Sequence, residues 1–297
     1  MDTFLRAFIE GLLLGGVYAL IVLGVVVVAK ATQIINLAYG GMLMFLTYFL
    51  WWLLVPMGLP LAAGLILMFI AAALMGLAVD RFMMRRLIGR PEAGLVTFLG
   101  TLILGFSVIH GFAILFFKGK PEVLPKIFPE GTISIGSLTF PYTWLYACII
   151  GVLMFIVFVL YFRLTKSGLA MRCVSEDHMV SQSLGISVKR IFAYAWIVGA
   201  LSAAIAGLLW GSMFAVESNM GGLAMMRALP VLLLAGLTSL PGAFVGAVLV
   251  GLAESLAGTY IDPHVTGFRE VLPYIMMVVI LIILPNGLFG TKAIRRI

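Results

Sequence analysis

Few residues in this 297-residue chain have the chemistry to act on a proton or a solute, and they are scattered. His110 sits in "FSVIHGFAILFF" and Glu254 in "LVGLAESLAG", each inside apolar sequence. An ionisable group in such a place is a functional candidate by default: a step in a proton relay, a solute contact, or half of an ion pair. For His110 the alternative is a packing histidine bonded to a neighbouring helix carbonyl. For Glu254 it is a pair with Arg227 or Arg269, or a carboxylate reaching toward water. Three scattered histidines, no HExxH, no paired in-span carboxylates and no nucleophile beside a base argue against a membrane enzyme. Cys148 and Cys173 suggest neither a disulfide framework nor a metal cluster, and no metal site is expected. "FFKGKP" has the Gly-Lys of a phosphate loop but lacks its upstream Gly and following hydroxyl. No cofactor is therefore expected on this chain.

Two further places put polar or helix-breaking residues between short apolar pieces. One is "TQIINLAYGG", with Gln33, Asn36, Tyr39 and Gly40; the other is "LAGLTSLPGAFVG", with Thr238 ahead of Pro241-Gly242. Irregular backbone at membrane depth survives only where protein or a water-filled cavity satisfies its N–H and C=O groups. Paired interruptions in the two halves of a chain point to a solute path. Gln33, Asn36, Tyr39, Gly40, Thr238 and Glu254 are the path candidates. Tight turns at the membrane surface are the plainer alternative for both breaks.

These residues sit in a chain built for a membrane. Hydrophobic residues make up 63%, charged ones 10%, and the mean hydropathy is +1.19. Soluble domains carry roughly 25% charged residues. Several runs reach the ~20 apolar residues that cross a ~30 Å hydrocarbon core. They fall near 8–29, 59–79, 95–117, 142–162 and 191–213, with shorter pieces at 42–55, 228–237, 244–256 and 271–284. The expected fold is all-α: one polytopic transmembrane helical bundle over 1–297, of about eight spans including short broken helices, in two loosely related halves. No cleavage site follows the first run, which reads as an uncleaved span. GxxxG spacings at Gly11–Gly15, Gly207–Gly211 and Gly242–Gly246 suit close helix packing. The net charge of +7 is no nucleic-acid signal here, because Lys and Arg mark cytoplasmic loops. Basic residues collect at 80–90, at 163–190 and in the tail "KAIRRI". The segment 118–141, with four prolines, reads as an ordered loop on the other side.

The longest polar loop contains "MRCVSEDHMVSQSLGISVKR". Ser175 is a good N-cap, Glu176 and Asp177 suit a first helical turn, and Gly185 suits a left-handed C-terminal cap. That predicts a short helix over 176–184. A capped helix between two spans, unable to bury a core of its own, makes sense when it lies in a partner's groove and passes the partner's movement to its flanking spans.

"GLLLGGVYALIVLG" followed by "INLAYG", then "TKSGLAMRCVSEDHMVSQSLGI", "LLLAGLTSLPGAFVGAVLVGLAES" and "LPNGLFG" resemble, in order, the LivH-type permeases. These are the inner-membrane subunits of branched-chain amino acid ABC importers. The resemblance implies that Ala170, Arg172, Glu176, Asp177 and Gly185 belong to a cytoplasmic coupling loop, about 163–190, that docks on an ATP-binding cassette subunit. It implies that Asn36 and the following "LAYG" lie near the translocation path. The family's usual Asn-Phe-Ala-His-Gly reads Asn-Leu-Ala-Tyr-Gly here, with Tyr39 in the His position. It further implies ATP and Mg on separate ATPase subunits, a periplasmic solute-binding protein, a related LivM-type second permease, surrounding membrane lipid, and a multi-pass place in a bacterial inner membrane. The implied cargo is a small amino acid-like solute, above all branched-chain amino acids. Urea or small organic acids are alternatives within the family, and a proton-driven secondary transporter is the alternative outside it.

Overall fold

The computed structural model describes residues 2–87, 93–135, 138–176, 178–237, 239–284 and 287–289. In chain order the helices are α1 (Asp2–Thr32), α2 (Tyr39–Leu54), α3 (Leu61–Ala78) continuing into a π-helical turn (Val79–Met84), and α4 (Arg85–Leu87). Then come α5 (Ala93–Ile103), a second π-helical segment (Leu104–Ile109) and α6 (His110–Phe117). A hairpin follows, β1 (Thr132–Ile135) antiparallel to β2 (Leu138–Pro141) with Thr132 opposite Pro141. After it are α7 (Tyr142–Leu164), α8 (Lys166–Glu176), α9 (His178–Ser183), α10 (Val188–Met213), α11 (Met220–Ala235), α12 (Leu240–Tyr260) and α13 (Phe268–Ile283).

Among the described residues, six helices are long and apolar enough to cross a membrane, and α2 and α11 are shorter apolar helices. The protein is a multi-pass membrane protein. The centre of the bundle is α1, flanked by α10 and α12: almost every side chain from Leu13 to Ala29 on α1 is buried, as are most on α10. By contrast α3, α5, α7 and α13 expose Leu74, Ile103, Leu153 and Ile282, the surface expected of helices that face lipid or another chain.

Glycines decide how close the central helices come. A Cβ on Gly11 would fall 2.7 Å from the Cα of Leu252, and one on Gly15 would fall 2.8 Å from that of Val248. Gly76 meets the Trp196 carbonyl at 2.5 Å in the same sense. Gly207 abuts Leu43 and Gly242 abuts Ala235, so the GxxxG spacings do serve packing.

The two halves repeat. The interval from Thr32 to Met213, where α1 and α10 end, equals that from Tyr39 to Met220 and from Leu54 to Ala235, the bounds of α2 and α11. In each half a long helix ends, the chain runs six residues without helix, and a short helix begins at a Gly-Gly pair, Gly40-Gly41 or Gly221-Gly222. Gly24 and Val28 of α1 face Ser202 and Gly199 of α10, so the two long helices cross antiparallel. Only "GG" and a few neighbours survive in the sequence, which is why repetition is faint there.

Charge separates the two ends of the bundle. Lys30 at the end of α1, Arg163 at the end of α7 and Arg172 on α8 lie together at one end, hereafter the basic end. At the other, Ile9 and Leu13 of α1 pack against Leu138 and Phe140 of the hairpin. In the stretch expected as an ordered loop at 118–141, these hairpin residues pack on the bundle, and Glu122 also pairs its backbone with Val216 at 2.9 and 2.8 Å.

Candidate functional site

The first break in the chain begins at Gln33, one of two non-glycine residues with positive φ (58°) among the described residues. Its backbone N–H still reaches Ala29 O at 2.8 Å, but the following groups are held by longer bonds. Ile34 N–H donates to Thr32 Oγ1 at 3.3 Å and Leu37 N–H to Thr101 Oγ1 at 3.4 Å; Thr101 Oγ1 in turn lies 3.4 Å from Ile35 O. Thr101 is fully buried on α5, one residue pair ahead of the π-helical segment. That segment brings Gly105 against the break: a Cβ there would lie 2.6 Å from the Cα of Ala38. A π-turn widens the helix by a residue and is frequent at functional places.

Asn36 lies in this break with no exposed surface, and neither its amide nitrogen nor its amide oxygen has a hydrogen-bond partner. A buried unsatisfied polar group costs about 1–3 kcal/mol. Such a group in a native fold calls for a reason. Tyr39, three residues on, fills the notch left by Gly24, and its hydroxyl sits 3.4 Å from Ser202 Oγ. Gly40 then touches Gly221 backbone to backbone, closer than a Cβ on either would permit. The positive ends of two helix dipoles, α2 and α11, thus meet inside the bundle. Gln33, Asn36, Tyr39 and Gly40 all belong to this break and the helix start that follows it.

Glu254 belongs to a second cluster, reached along α11. It is 1% exposed and does not reach toward water. Arg227 of α11 donates from Nε to Glu254 Oε1 at 2.9 Å, and Tyr18 of α1 donates from Oη to Oε2 at 2.5 Å. Arg227 also lies over the Trp210 ring, 5.3 Å from its centroid. Of the two partners weighed for Glu254, Arg227 takes the role, and Arg269 instead packs its side chain on Gly258. Beside this cluster, at the start of α11, is a cavity of about 210 Å³. Arg227, Arg269 and Asn219 supply donors to it, Glu217 supplies an acceptor, and Trp210 and Phe214 give it an aromatic wall. Sequence reasoning did not single out Arg227, Trp210 or Glu217 as a group, because the three meet only through the break at 214–219. The signal was there in Arg227, a cation inside an apolar segment.

His110 is half-buried at the start of α6. Thr238 and Asp177 lie outside the described residues. Among the described residues no group of His, Cys, Asp or Glu is placed to hold a metal.

At the basic end, the helix expected over 176–184 starts earlier, at Lys166: α8 runs to Glu176 and α9 covers His178–Ser183. Ser175 is not its cap: it lies inside α8, donating its hydroxyl to Arg172 O at 2.7 Å. Thr165 has taken that role ten residues earlier, accepting from Gly168 N–H at 3.0 Å. Gly168 is needed there because a Cβ would fall 2.5 and 2.6 Å from the carbonyls of Tyr161 and Phe162. Met171 and Val174 are buried, so α8 packs on the bundle instead of standing free. Gly185 caps α9 as expected, with φ 81°, its N–H on Gln182 O at 2.9 Å and Ile186 N–H on Ser181 O at 3.0 Å. Ala170 is half-buried, Arg172 bridges to Arg163 O at 3.3 Å, and Glu176 is exposed. Leu169 and Leu184 stay 54% and 71% exposed on this face.

Comparison with known proteins places these features in context. The family described as "Branched-chain amino acid transport system / permease component" matches residues 7–281. The high-affinity branched-chain amino acid transport system permease protein LivH of Salmonella typhimurium is 28% identical, over 99% of this chain and 98% of its own length. BraD of Pseudomonas aeruginosa, a permease protein of the same description, is 26% identical over the same shares. A probable LivH of Methanocaldococcus jannaschii is 24% identical over 98% of this chain and 95% of its own.

Proposed function

We propose that this chain, which belongs to the branched-chain amino acid transport permease family, is one membrane subunit of an ATP-driven importer for amino acids with apolar side chains. The observation that carries the cargo class is the cavity at the start of α11. Arg227, Arg269 and the positive end of α11 suit a carboxylate, Glu217 an ammonium, and Trp210 with Phe214 an apolar side chain. The names of the relatives favour branched-chain amino acids. Urea has no carboxylate for the two arginines, and a simple organic acid leaves Glu217 without a partner.

The chain itself moves; ATP and Mg act on separate ATPase subunits. Leu169 and Leu184, apolar and exposed at the basic end, are the anchors on which an ATPase would close. Motion of α8 passes to the break through Gln33, whose side-chain amide donates to Ser175 O at 3.2 Å. The break is held by long bonds and opens against α5, while Gly40 and Gly221 slide where no side chain intervenes. Taking such a switch from one dominant state to the other requires ~5.5 kcal/mol of differential binding. Nucleotide-driven closure at the α8–α9 surface is the source. The basic end then lies in the cytoplasm and the hairpin end faces a solute-binding protein outside a bacterial inner membrane. A related second permease completes the pathway against the exposed helices.

The test is uptake of labelled leucine into vesicles holding this chain with its partner subunits. Uptake that needs internal ATP and is inhibited by valine and isoleucine supports the assignment. Uptake driven by a proton gradient without ATP refutes it.

A further inference from the structure

A different pair of cavities lies at the basic end, lined by neither Asn36 nor Glu254. Lys30, Arg163 and Arg172 line a small one of about 140 Å³, walled by Phe162 and by Leu240 and Pro241 at the start of α12. Beside it a groove of about 420 Å³ opens between α7 and α12. Val159, Arg163 and Pro241 line both, so a single molecule can enter the groove and reach the cations.

The two compartments demand opposite chemistry. In the small one three cations face one another, and among the described residues no carboxylate lines the wall. Glu176 acts on Lys30 electrostatically, but from the exposed side of α8 and not from the wall. Arg172 spends one terminal nitrogen on Arg163 O, while its Nε is buried without an acceptor. The positive end of the α12 dipole adds to the same potential. In the groove, Arg163 is the one polar side chain among the described residues, and the rings of Phe155 and Phe244 pack with centroids 5.2 Å apart. The neighbouring surface of α7 exposes Leu153, Val157 and Leu160, an apolar face suited to bilayer.

We propose that this composite site binds an anionic glycerophospholipid from the leaflet at the basic end. Its phosphate sits among Lys30, Arg163 and Arg172, and an acyl chain lies in the α7–α12 groove. A free anion would leave the groove empty, and a zwitterionic lipid would bring a cation to three others. Basic pockets between membrane helices on the cytoplasmic side suit anionic headgroups. Because Arg172 belongs to α8, the lipid also steadies the segment that carries Leu169 and Leu184.

Native mass spectrometry and thermal melting of the purified full-length chain test this. Phosphatidylglycerol is expected to remain bound and raise the melting temperature by several degrees. Phosphatidylcholine, glycerol 3-phosphate and inorganic phosphate are expected to do neither. The pair Lys30→Gln with Arg163→Gln should weaken phosphatidylglycerol retention by about tenfold. Val245→Trp, which fills the groove and leaves every cation in place, should weaken it as well. Equal stabilisation by phosphatidylcholine would overturn the proposal, and so would full stabilisation by glycerol 3-phosphate alone. Unchanged retention in both variants would overturn it too. If the double variant does not fold, Val245→Trp and the wild-type lipid comparison decide the matter.

Discussion

Gln33 Nε2 lies 3.2 Å from the backbone carbonyl of Ser175. One residue ends the central helix in a left-handed turn; the other sits near the end of the first helix of the polar loop. A break inside the bundle and a helix on its surface are thereby tied by a single hydrogen bond. Gln33→Asn keeps a residue that tolerates positive φ but shortens the reach. It is expected to cost about 0.5–1.5 kcal/mol of stability. Its larger effect is on coupling: ATP hydrolysis persists while solute moved per ATP falls. An unchanged ratio of uptake to hydrolysis would show the bond to be incidental.

Asn36 is kept despite having no partner for either amide atom. Replacing it by Leu removes two buried unsatisfied groups from an apolar surrounding. Asn36→Leu is therefore expected to stabilise the chain by about 1–3 kcal/mol while reducing uptake severely. Thermal melting and uptake on one preparation check both halves. Loss of stability together with loss of uptake would make Asn36 a structural residue.

The crossing of α2 and α11 makes a sharp contrast between neighbouring glycines. A Cβ on Gly221 would fall closer than 3.0 Å to the backbone of Gly40, whereas one on Gly222 finds only Phe106 at 3.9 Å. Gly221→Ala should cost at least about 1–3 kcal/mol, the usual range for forced overpacking. Gly222→Ala should be tolerated, which a melting comparison of the two variants decides.

Arg227 and Glu254 stand or fall together. Arg227→Ala leaves Glu254 charged, 1% exposed and held by Tyr18 alone, at an expected cost of about 3–5 kcal/mol. Arg227→Met with Glu254→Leu removes both charges and should regain most of that stability. Uptake should stay low in the double variant, because a carboxylate-bearing solute has lost one of its two arginines. A double variant that transports normally would assign the pair to folding alone.

Much of this was legible in the sequence, and what was not has a physical cause. Most apolar runs match helix bounds within a few residues because hydropathy largely decides a membrane span, but α11 begins at Met220, eight residues before the run expected at 228–237. Gly185 was readable because a left-handed cap after a polar helix leaves few residue types to choose from. Ser175 misled because caps are judged locally, and the local evidence for Thr165 was hidden. Its worth depends on Gly168 pressing against the carbonyls of Tyr161 and Phe162, a tertiary contact. The cavity at the start of α11 was out of reach for the same reason. Tyr18, Trp210, Arg227 and Glu254 come from four helices, and no spacing along the chain connects them. That the end of α1 lies beside Arg163 and Arg172 was out of reach for the same reason.

The central claim is that the α8–α9 surface receives the motion of an ATPase. The most direct measurement is co-purification of the ATPase subunits, with their hydrolysis rate, for wild type and for Leu184→Arg. Leu184 is 71% exposed, so the variant should fold and melt as wild type does. The prediction is that the ATPase is retained by wild type and lost from Leu184→Arg, with uptake lost alongside. Retention of ATPase and uptake by Leu184→Arg would contradict the account.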